Sequence, residues 1–197
     1  DGQVNVALSP RQPGSSFKIF NYLTAFSQGY TTASVLMDVR TVFDDPGNPP
    51  YVPENYDRKY HGPVRLRVAL ASSFNIPAVK LINEVGAKNV VNTAHRMGIN
   101  TLNRESYGLA LTLGGGETTL LDMTYANGVL ANQGLMTGVP VDPQQKKPGY
   151  RELDPVGILK ITDANNKVLY EFKQPDTQRI VTPQLSFLMS DILSDNS

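Results

Sequence analysis

Glycine ends four of the stretches of this sequence that have helical periodicity, and this limits each helix to a few turns. Gly29, Gly86, Gly98 and Gly134 stand at or just after the last residues of those stretches. Glycine is favoured there because it adopts the left-handed backbone that closes a helix. The pattern predicts helices over 15–28, 64–72, 77–85, 87–97 and 118–132, and a last one from Thr182-Pro183 to about Leu193.

Strand signals are fewer. Apolar and polar residues alternate over 157–162 and 167–172, on either side of Asn165-Asn166, which predicts one hairpin. Residues 40–63 and 138–155 are expected to be loops, and the first is too long to be an idle connection in a compact domain. The chain is therefore expected to be rich in helix, with a small hairpin.

Composition excludes several classes of function. Apolar residues make up 40% of the 197 residues, enough for a core, and the net charge is zero. A neutral chain offers no global attraction to nucleic acid or to an anionic membrane. Cysteine is absent, which removes disulfides and thiolate chemistry, and no apolar run approaches the length of a membrane span.

Both ends resemble cut points. The chain starts Asp1-Gly2-Gln3, without a charged and then apolar leader, and stops at Asn196-Ser197 without a natural tail. The expectation is one partial domain over residues 1–197, truncated at both ends.

Histidine and glycine patterns point away from the common catalytic and phosphate sites. His61 and His95 lie in no recognisable Ser-His-Asp context, and both are expected to be surface or loop residues. With two histidines and no cysteine, a zinc site is not expected. Gly114-Gly115-Gly116 lacks a following Lys, so it predicts a turn rather than a phosphate-binding loop, and no cofactor is expected.

A serine enzyme without a histidine base can use lysine. Ser15 and Lys18 lie one turn apart at a predicted helix start behind Pro13-Gly14, whereas Ser16 would point elsewhere. The helix N-terminus favours negative charge on the serine oxygen. Apolar neighbours would lower the lysine pKa, so that a neutral amine can act as base. Alone, such a pair is uninformative, because about one occurs by chance in a chain of this length.

A second pair raises its value. In Ser73-Phe74-Asn75, between two predicted helices, a hydroxyl could shuttle a proton and an amide could bind a substrate peptide. Ser-x-x-Lys with a Ser-x-Asn element occurs in β-lactamases and penicillin-binding proteins. Ser194-Asp195-Asn196 spells the β-lactamase version of the element, but its place at the chain end indicates a helix terminus.

The chain resembles the transpeptidase domain of class A, or bifunctional, penicillin-binding proteins over nearly its whole length. The similar segments are Arg11–Lys18, Tyr51–Asp57, Gly62–Val64, Arg67–Val79, Leu111–Glu117 and Tyr125–Gly134. The resemblance implies an α+β, β-lactamase/transpeptidase-like fold, in which helices pack on a five-stranded antiparallel sheet. Here mainly the helical part is expected, with a small hairpin and most of the sheet missing.

The resemblance also implies a reaction and its residues. Ser15 would attack the D-Ala-D-Ala bond of a peptidoglycan stem peptide, and the acyl-enzyme would pass to an amine of a neighbouring stem. Lys18 would be the base, Ser73 the proton relay and Asn75 a ligand of the substrate amide. The Ser15 N–H would be half of the oxyanion hole. β-Lactams would acylate the same serine, and the parent protein would lie at the extracytoplasmic face of the bacterial membrane, anchored through parts outside this chain.

The departures from the family pattern limit the expectation. No Lys is followed by Thr-Gly or Ser-Gly, and Lys147-Pro148-Gly149 is the nearest match. Because the Lys-Thr-Gly motif and the part of the site that it forms are missing, the fragment is expected to be inactive alone. A glycosyltransferase domain is also absent. Two alternatives stay open. One is a β-lactamase or D,D-carboxypeptidase, and for the β-lactamase Glu117 is the best candidate deacylating residue. The other is a non-catalytic penicillin-binding sensor or remnant.

Overall fold

The computed structural model describes residues 2–44 and 50–195. Within them the α-helices are Lys18–Ser27 (α1), Leu66–Ala71 (α2), Asn75–Val85 (α3), Ala87–Met97 (α4), Leu120–Ala131 (α5) and Pro183–Leu193 (α6). Short 3-10 helices cover Gly14–Phe17 and Leu109–Leu113. The predicted helices are confirmed, with ends that differ by a few residues.

The centre of the fold is α1. Every residue from Lys18 to Phe26 is buried, its polar residues included. It packs against α2, α3, α4, α6 and the 3-10 helix Leu109–Leu113. The largest fully buried side chains include Phe17, Phe20 and Tyr22. The helix that carries Lys18 therefore lies at the centre of the hydrophobic core.

Strands form three small antiparallel sheets in the described residues. They are Val35–Asp38 (β1) paired with Gly62–Arg65 (β2), Leu135–Pro140 (β3) between Leu153–Asp154 (β4) and Asp176–Arg179 (β7), and Lys160–Thr162 (β5) paired with Val168–Glu171 (β6). The last pair confirms the predicted hairpin around Asn165-Asn166, and Asn166 adopts a left-handed φ of 62°. Both of its strands are exposed along their length.

One helix boundary and one loop prediction were partly wrong. The helix expected from residue 64 begins at Leu66, because Val64 and Arg65 pair with Leu36 and Val35 in the β1–β2 sheet. Part of the loop expected over 138–155 is strand, since Val139 and Pro140 pair with β4. These strands are short and their partners are distant in sequence, so periodicity alone did not reveal them.

No helix among the described residues is long and apolar enough to span a bilayer. Nor do these residues contain a group of three or more His, Cys, Asp or Glu side chains that could hold a metal ion.

Candidate active site

The segment that contains Ser15 leads directly into α1. Arg11 pairs through its backbone with Thr118, and the chain then turns through the 3-10 helix that contains Ser15. The N–H of Lys18 donates to the Ser15 carbonyl, so the two residues begin and end one helical turn. Ser15 is exposed, whereas Lys18 is only 1% exposed. Ser16 points away as predicted, since its hydroxyl donates to the Pro13 carbonyl at 2.6 Å.

Gly114, the first residue of the triple glycine, packs against this turn. A Cβ on Gly114 would lie 2.3 Å from the nitrogen of Gly14, far inside van der Waals contact. Gly114 also has a left-handed φ of 89°, which favours glycine. Gly114 ends the 3-10 helix Leu109–Leu113, so the turn predicted there is confirmed. Its function in the fold is close backbone packing against the residue before Ser15.

The Lys18 ammonium is directed at the Ser73-Phe74-Asn75 segment. Its Nζ donates to the Ser73 carbonyl at 2.6 Å, the Ser73 hydroxyl at 3.1 Å and Asn75 Oδ1 at 2.8 Å. These three acceptors use all three N–H groups of the charged form. Burial lowers the pKa of Lys18 from 10.5 to about 8, so a neutral amine with a free lone pair is accessible near neutral pH.

Ser73 sits in a strained position between α2 and α3. Its φ of 55° is left-handed, which is uncommon for a residue with a side chain. The Ser73 N–H donates to the Leu70 carbonyl at 3.0 Å, closing the end of α2. The strain is retained where the chain must turn both the carbonyl and the hydroxyl of Ser73 toward Lys18.

Asn75 is the first residue of α3 and is oriented from both ends. Its Nδ2 donates to the Glu54 carbonyl at 2.8 Å, while its Oδ1 accepts from Lys18. One N–H of the amide remains for another acceptor, because Nδ2 carries two hydrogens. The structure therefore brings Lys18, Ser73 and Asn75 together, and Lys18 itself lies one helical turn after Ser15.

Sequence reasoning assigned no function to Asn55, which contacts this site from the loop over 40–63. Asn55 is 4% exposed, and its Oδ1 accepts from the backbone N–H groups of Asn75 at 2.8 Å and Ile76 at 3.2 Å. The loop is thus connected to the start of α3. No local pattern could have revealed this contact, because it joins residues twenty positions apart.

A known protein family matches most of this chain. A family model of the penicillin-binding protein transpeptidase domain matches residues 3–169. The chain belongs to the penicillin-binding protein transpeptidase family.

Several penicillin-binding proteins 1A are similar to it. The protein from Aquifex aeolicus is 37% identical over 162 residues, 82% of this chain and 20% of that protein. The protein from Rickettsia bellii is 35% identical over 161 residues, 81% of this chain and 18% of its own length. The chain thus spans about a fifth of the curated relatives it matches.

Solved structures of penicillin-binding proteins confirm the expected fold class. Penicillin-binding protein 1A from Haemophilus influenzae superposes with a TM-score of 0.82 at 28% identity, over 97% of this chain and 30% of that one. PonA1 from Mycobacterium tuberculosis, solved in complex with penicillin V, gives 0.76 at 21% identity, over 96% and 48%. The α+β transpeptidase-like fold is therefore shown, here as a mainly helical part with small sheets.

One of the two histidines of this transpeptidase-family chain departs from the expectation. His95 was predicted to be a surface or loop residue, which was wrong: it is 8% exposed in α4, stacks on Tyr150, and its Nε2 lies 2.9 Å from the Leu102 carbonyl. His61 does lie in a loop, directly before β2. Its Nδ1 is 2.5 Å from Asp38 and its Nε2 is 3.1 Å from Asp57.

The remaining candidate residues lie apart from the Lys18 hydrogen bonds. Glu117 is exposed and is not among the acceptors of Lys18. Ser194 caps the end of α6, which confirms a helix terminus there, while Asp195 accepts from Arg67 and Asn196 lies outside the described residues. Lys147 lies over the Tyr150 ring at 5.3 Å.

Proposed function

We propose that this chain is the part of a serine D,D-transpeptidase domain that carries Ser15 as nucleophile, Lys18 as base, Ser73 as proton relay and Asn75 as substrate ligand. The observation that carries the proposal is the set of hydrogen bonds from buried Lys18 to Ser73 and Asn75, one turn after exposed Ser15. Membership of the transpeptidase family supports the same assignment.

The first half-reaction would proceed as follows. Neutral Lys18 takes the hydroxyl proton of Ser15 as Oγ attacks the penultimate carbonyl of a stem peptide ending in D-Ala-D-Ala. With a pKa of about 8, roughly a tenth of the lysines are neutral at pH 7. The Ser15 N–H, at the positive end of the 3-10 turn, would receive the developing oxyanion.

Collapse of the tetrahedral intermediate breaks the peptide bond. Ser73 gives its proton to the leaving D-Ala nitrogen and recovers one from the Lys18 ammonium, to which its hydroxyl lies 3.1 Å away. The acyl-enzyme ester then remains on Ser15. A stem-peptide amine attacks it, and the released proton returns by the same groups to Ser15, which completes the cross-link.

The same chemistry makes Ser15 the site of acylation by β-lactams. Penicillin-binding protein A of M. tuberculosis has been solved as a penicillin G acyl-enzyme, and its fold matches this chain with a TM-score of 0.77. The 197 residues contain no Lys-Thr-Gly, so labelling is expected of the intact natural protein and not of this chain alone. The intact protein would act at the extracytoplasmic face of the membrane.

Fluorescent penicillin and the intact natural protein test the proposal. Ser15→Ala should abolish covalent labelling, and the matched Ser16→Ala should retain it, because the Ser16 hydroxyl is bound to Pro13. Label that persists in Ser15→Ala contradicts the assignment.

Incubation with a D-Ala-D-Ala stem peptide and an acceptor amine then separates the activities: a cross-linked product indicates a transpeptidase, and a hydrolysed stem indicates a carboxypeptidase. Hydrolysed penicillin indicates a β-lactamase, and labelling without turnover a sensor.

A further inference from the structure

The N-terminus of α3 is completed by a residue from another segment. Phe74, which precedes the helix, provides no side-chain cap. Instead, Asn55 Oδ1 accepts from the first two N–H groups of α3, those of Asn75 and Ile76. A helix start left without acceptors is unfavourable, so the position of α3 depends on where Asn55 is held.

Asn55 is held by a buried carboxylate. Its Nδ2 lies 2.9 Å and 2.8 Å from the two oxygens of Asp38 and 2.8 Å from the Lys59 carbonyl. Asp38 is 0% exposed, and it also accepts from the N–H of His61 at 3.1 Å. The amide can therefore adopt only one orientation, with nitrogen toward Asp38 and oxygen toward α3.

The same loop also orients the Asn75 side chain. The Glu54 carbonyl accepts from Asn75 Nδ2, so Asn75 Oδ1 must face the Lys18 ammonium. Residues 54 and 55 thus hold both the backbone and the amide of a residue that contacts the base. The acceptors of the Lys18 ammonium are on Ser73 and Asn75, so the influence of Asn55 on the reaction passes through Asn75.

The structure assigns to Asn55 the role of a positioning residue: held by Asp38, it places Asn75 against Lys18 for the acylation of Ser15. This inference rests on the proposed function of Ser15 and Lys18. A change that keeps the size of Asn55 but replaces its donor with a carboxylate oxygen should disturb the placement, because two carboxylates would then face each other in a buried site. Such a misplacement typically costs on the order of 10²-fold in rate.

The experiment is penicillin labelling of the intact natural protein with Asn55→Asp, followed over time and penicillin concentration. We expect the labelled fraction at the end point to equal that of the wild type, while the acylation rate constant at saturating penicillin falls by on the order of 10²-fold. The half-saturating concentration should change much less. Tyr56→Ala is the control, since Tyr56 is fully exposed, and it should label at the wild-type rate.

The outcomes separate the two proposals. If the wild type is not labelled, or Ser15→Ala is, the proposed function fails. A wild-type rate in Asn55→Asp overturns the positioning role alone. So does a reduced labelled fraction that reacts at the normal rate, because Asn55 would then only stabilise the fold. If Asn55→Asp gives no labelled protein, Asn55→Ala is judged in the same way. If neither variant folds by circular dichroism, the positioning role is overturned.

Discussion

Gly114 lies so close to Gly14 that a methyl group on Gly114 would come within 2.3 Å of the Gly14 nitrogen and 2.6 Å of its Cα. Both atoms belong to the backbone, so no flexible side chain can move aside. Because Gly14 directly precedes Ser15, this contact fixes the turn that contains Ser15 on the 3-10 helix Leu109–Leu113. The position of a candidate catalytic residue therefore depends on a glycine about a hundred positions later in the sequence.

Gly114→Ala should displace the turn and lower the rate of penicillin labelling by on the order of 10²-fold in the intact natural protein. Gly128→Ala is the matched control: Gly128 lies in α5, and an added Cβ meets nothing within 4 Å. Alanine there should leave labelling unchanged and stabilise the helix by about 0.5–1 kcal/mol. Equal labelling rates in the two variants would contradict the proposed contact.

The acylation rate should rise with pH and level off above about 8. Burial lowers the pKa of Lys18 to about 8, and only the neutral amine accepts the Ser15 proton. Well below pH 8, each decrease of one pH unit should reduce the acylation rate about tenfold. Stopped-time labelling across the pH range checks this. Lys80→Met, which removes an ammonium that donates to the Met37 carbonyl, should leave the profile unchanged. A rate that does not depend on pH would exclude Lys18 as the base.

His61 should stabilise the protein more at low pH than at high pH. Its hydrogen bond to Asp38, with further attraction from Asp57, raises the pKa of His61 above its ordinary 6.5. The stabilisation is fully present below 6.5 and is lost as the pH rises through the raised folded-state value. The urea midpoint of the wild type should exceed that of His61→Gln, and this difference, measured by circular dichroism, should become smaller as the pH rises. A difference that grows would show the opposite linkage.

Arg151 should be needed for stability. It donates to Asp122 at 2.7 Å and to Asp154 at 2.8 Å, and the Arg151 and Asp122 side chains are 10% and 7% exposed. Arg151→Met would leave the buried Asp122 charge without this partner and should cost about 3–5 kcal/mol. Lys160→Met, which breaks the exposed pair with Glu171, should cost less than about 1 kcal/mol. Urea unfolding of both variants gives the comparison.

Sequence signals predicted correctly the turns and helix ends that are determined by residues nearby in the chain. Pro13-Gly14 marked the turn before Ser15, and Thr182 with Pro183 marked the start of α6, where the Thr182 hydroxyl accepts from the Leu185 N–H. Helix periodicity placed α4 at its observed ends. In each case the determinant lies within one or two turns, where propensity and capping act.

Contacts distant in sequence were not predictable in this way. Nothing near Asn55 shows that it caps α3, and nothing near Asp38 shows that it is buried beside His61. His95 was misplaced for the same reason, because the Tyr150 ring that covers it comes from a segment expected to be loop. Lys18 was predicted from its spacing to Ser15 at a helix start, whereas Ser73 and Asn75 gained weight only because a known family combines the two patterns.

The burial of α1 has a consequence for motion in this protein. Amide groups of a helix enclosed on all sides exchange with solvent only when large parts of the fold open, so α1 should contain the slowest-exchanging amides. The exposed β5–β6 hairpin should exchange by local opening, orders of magnitude faster. The lysine would thus sit on the most rigid element of the molecule, and fluctuations at the periphery would leave its alignment with the serine turn intact.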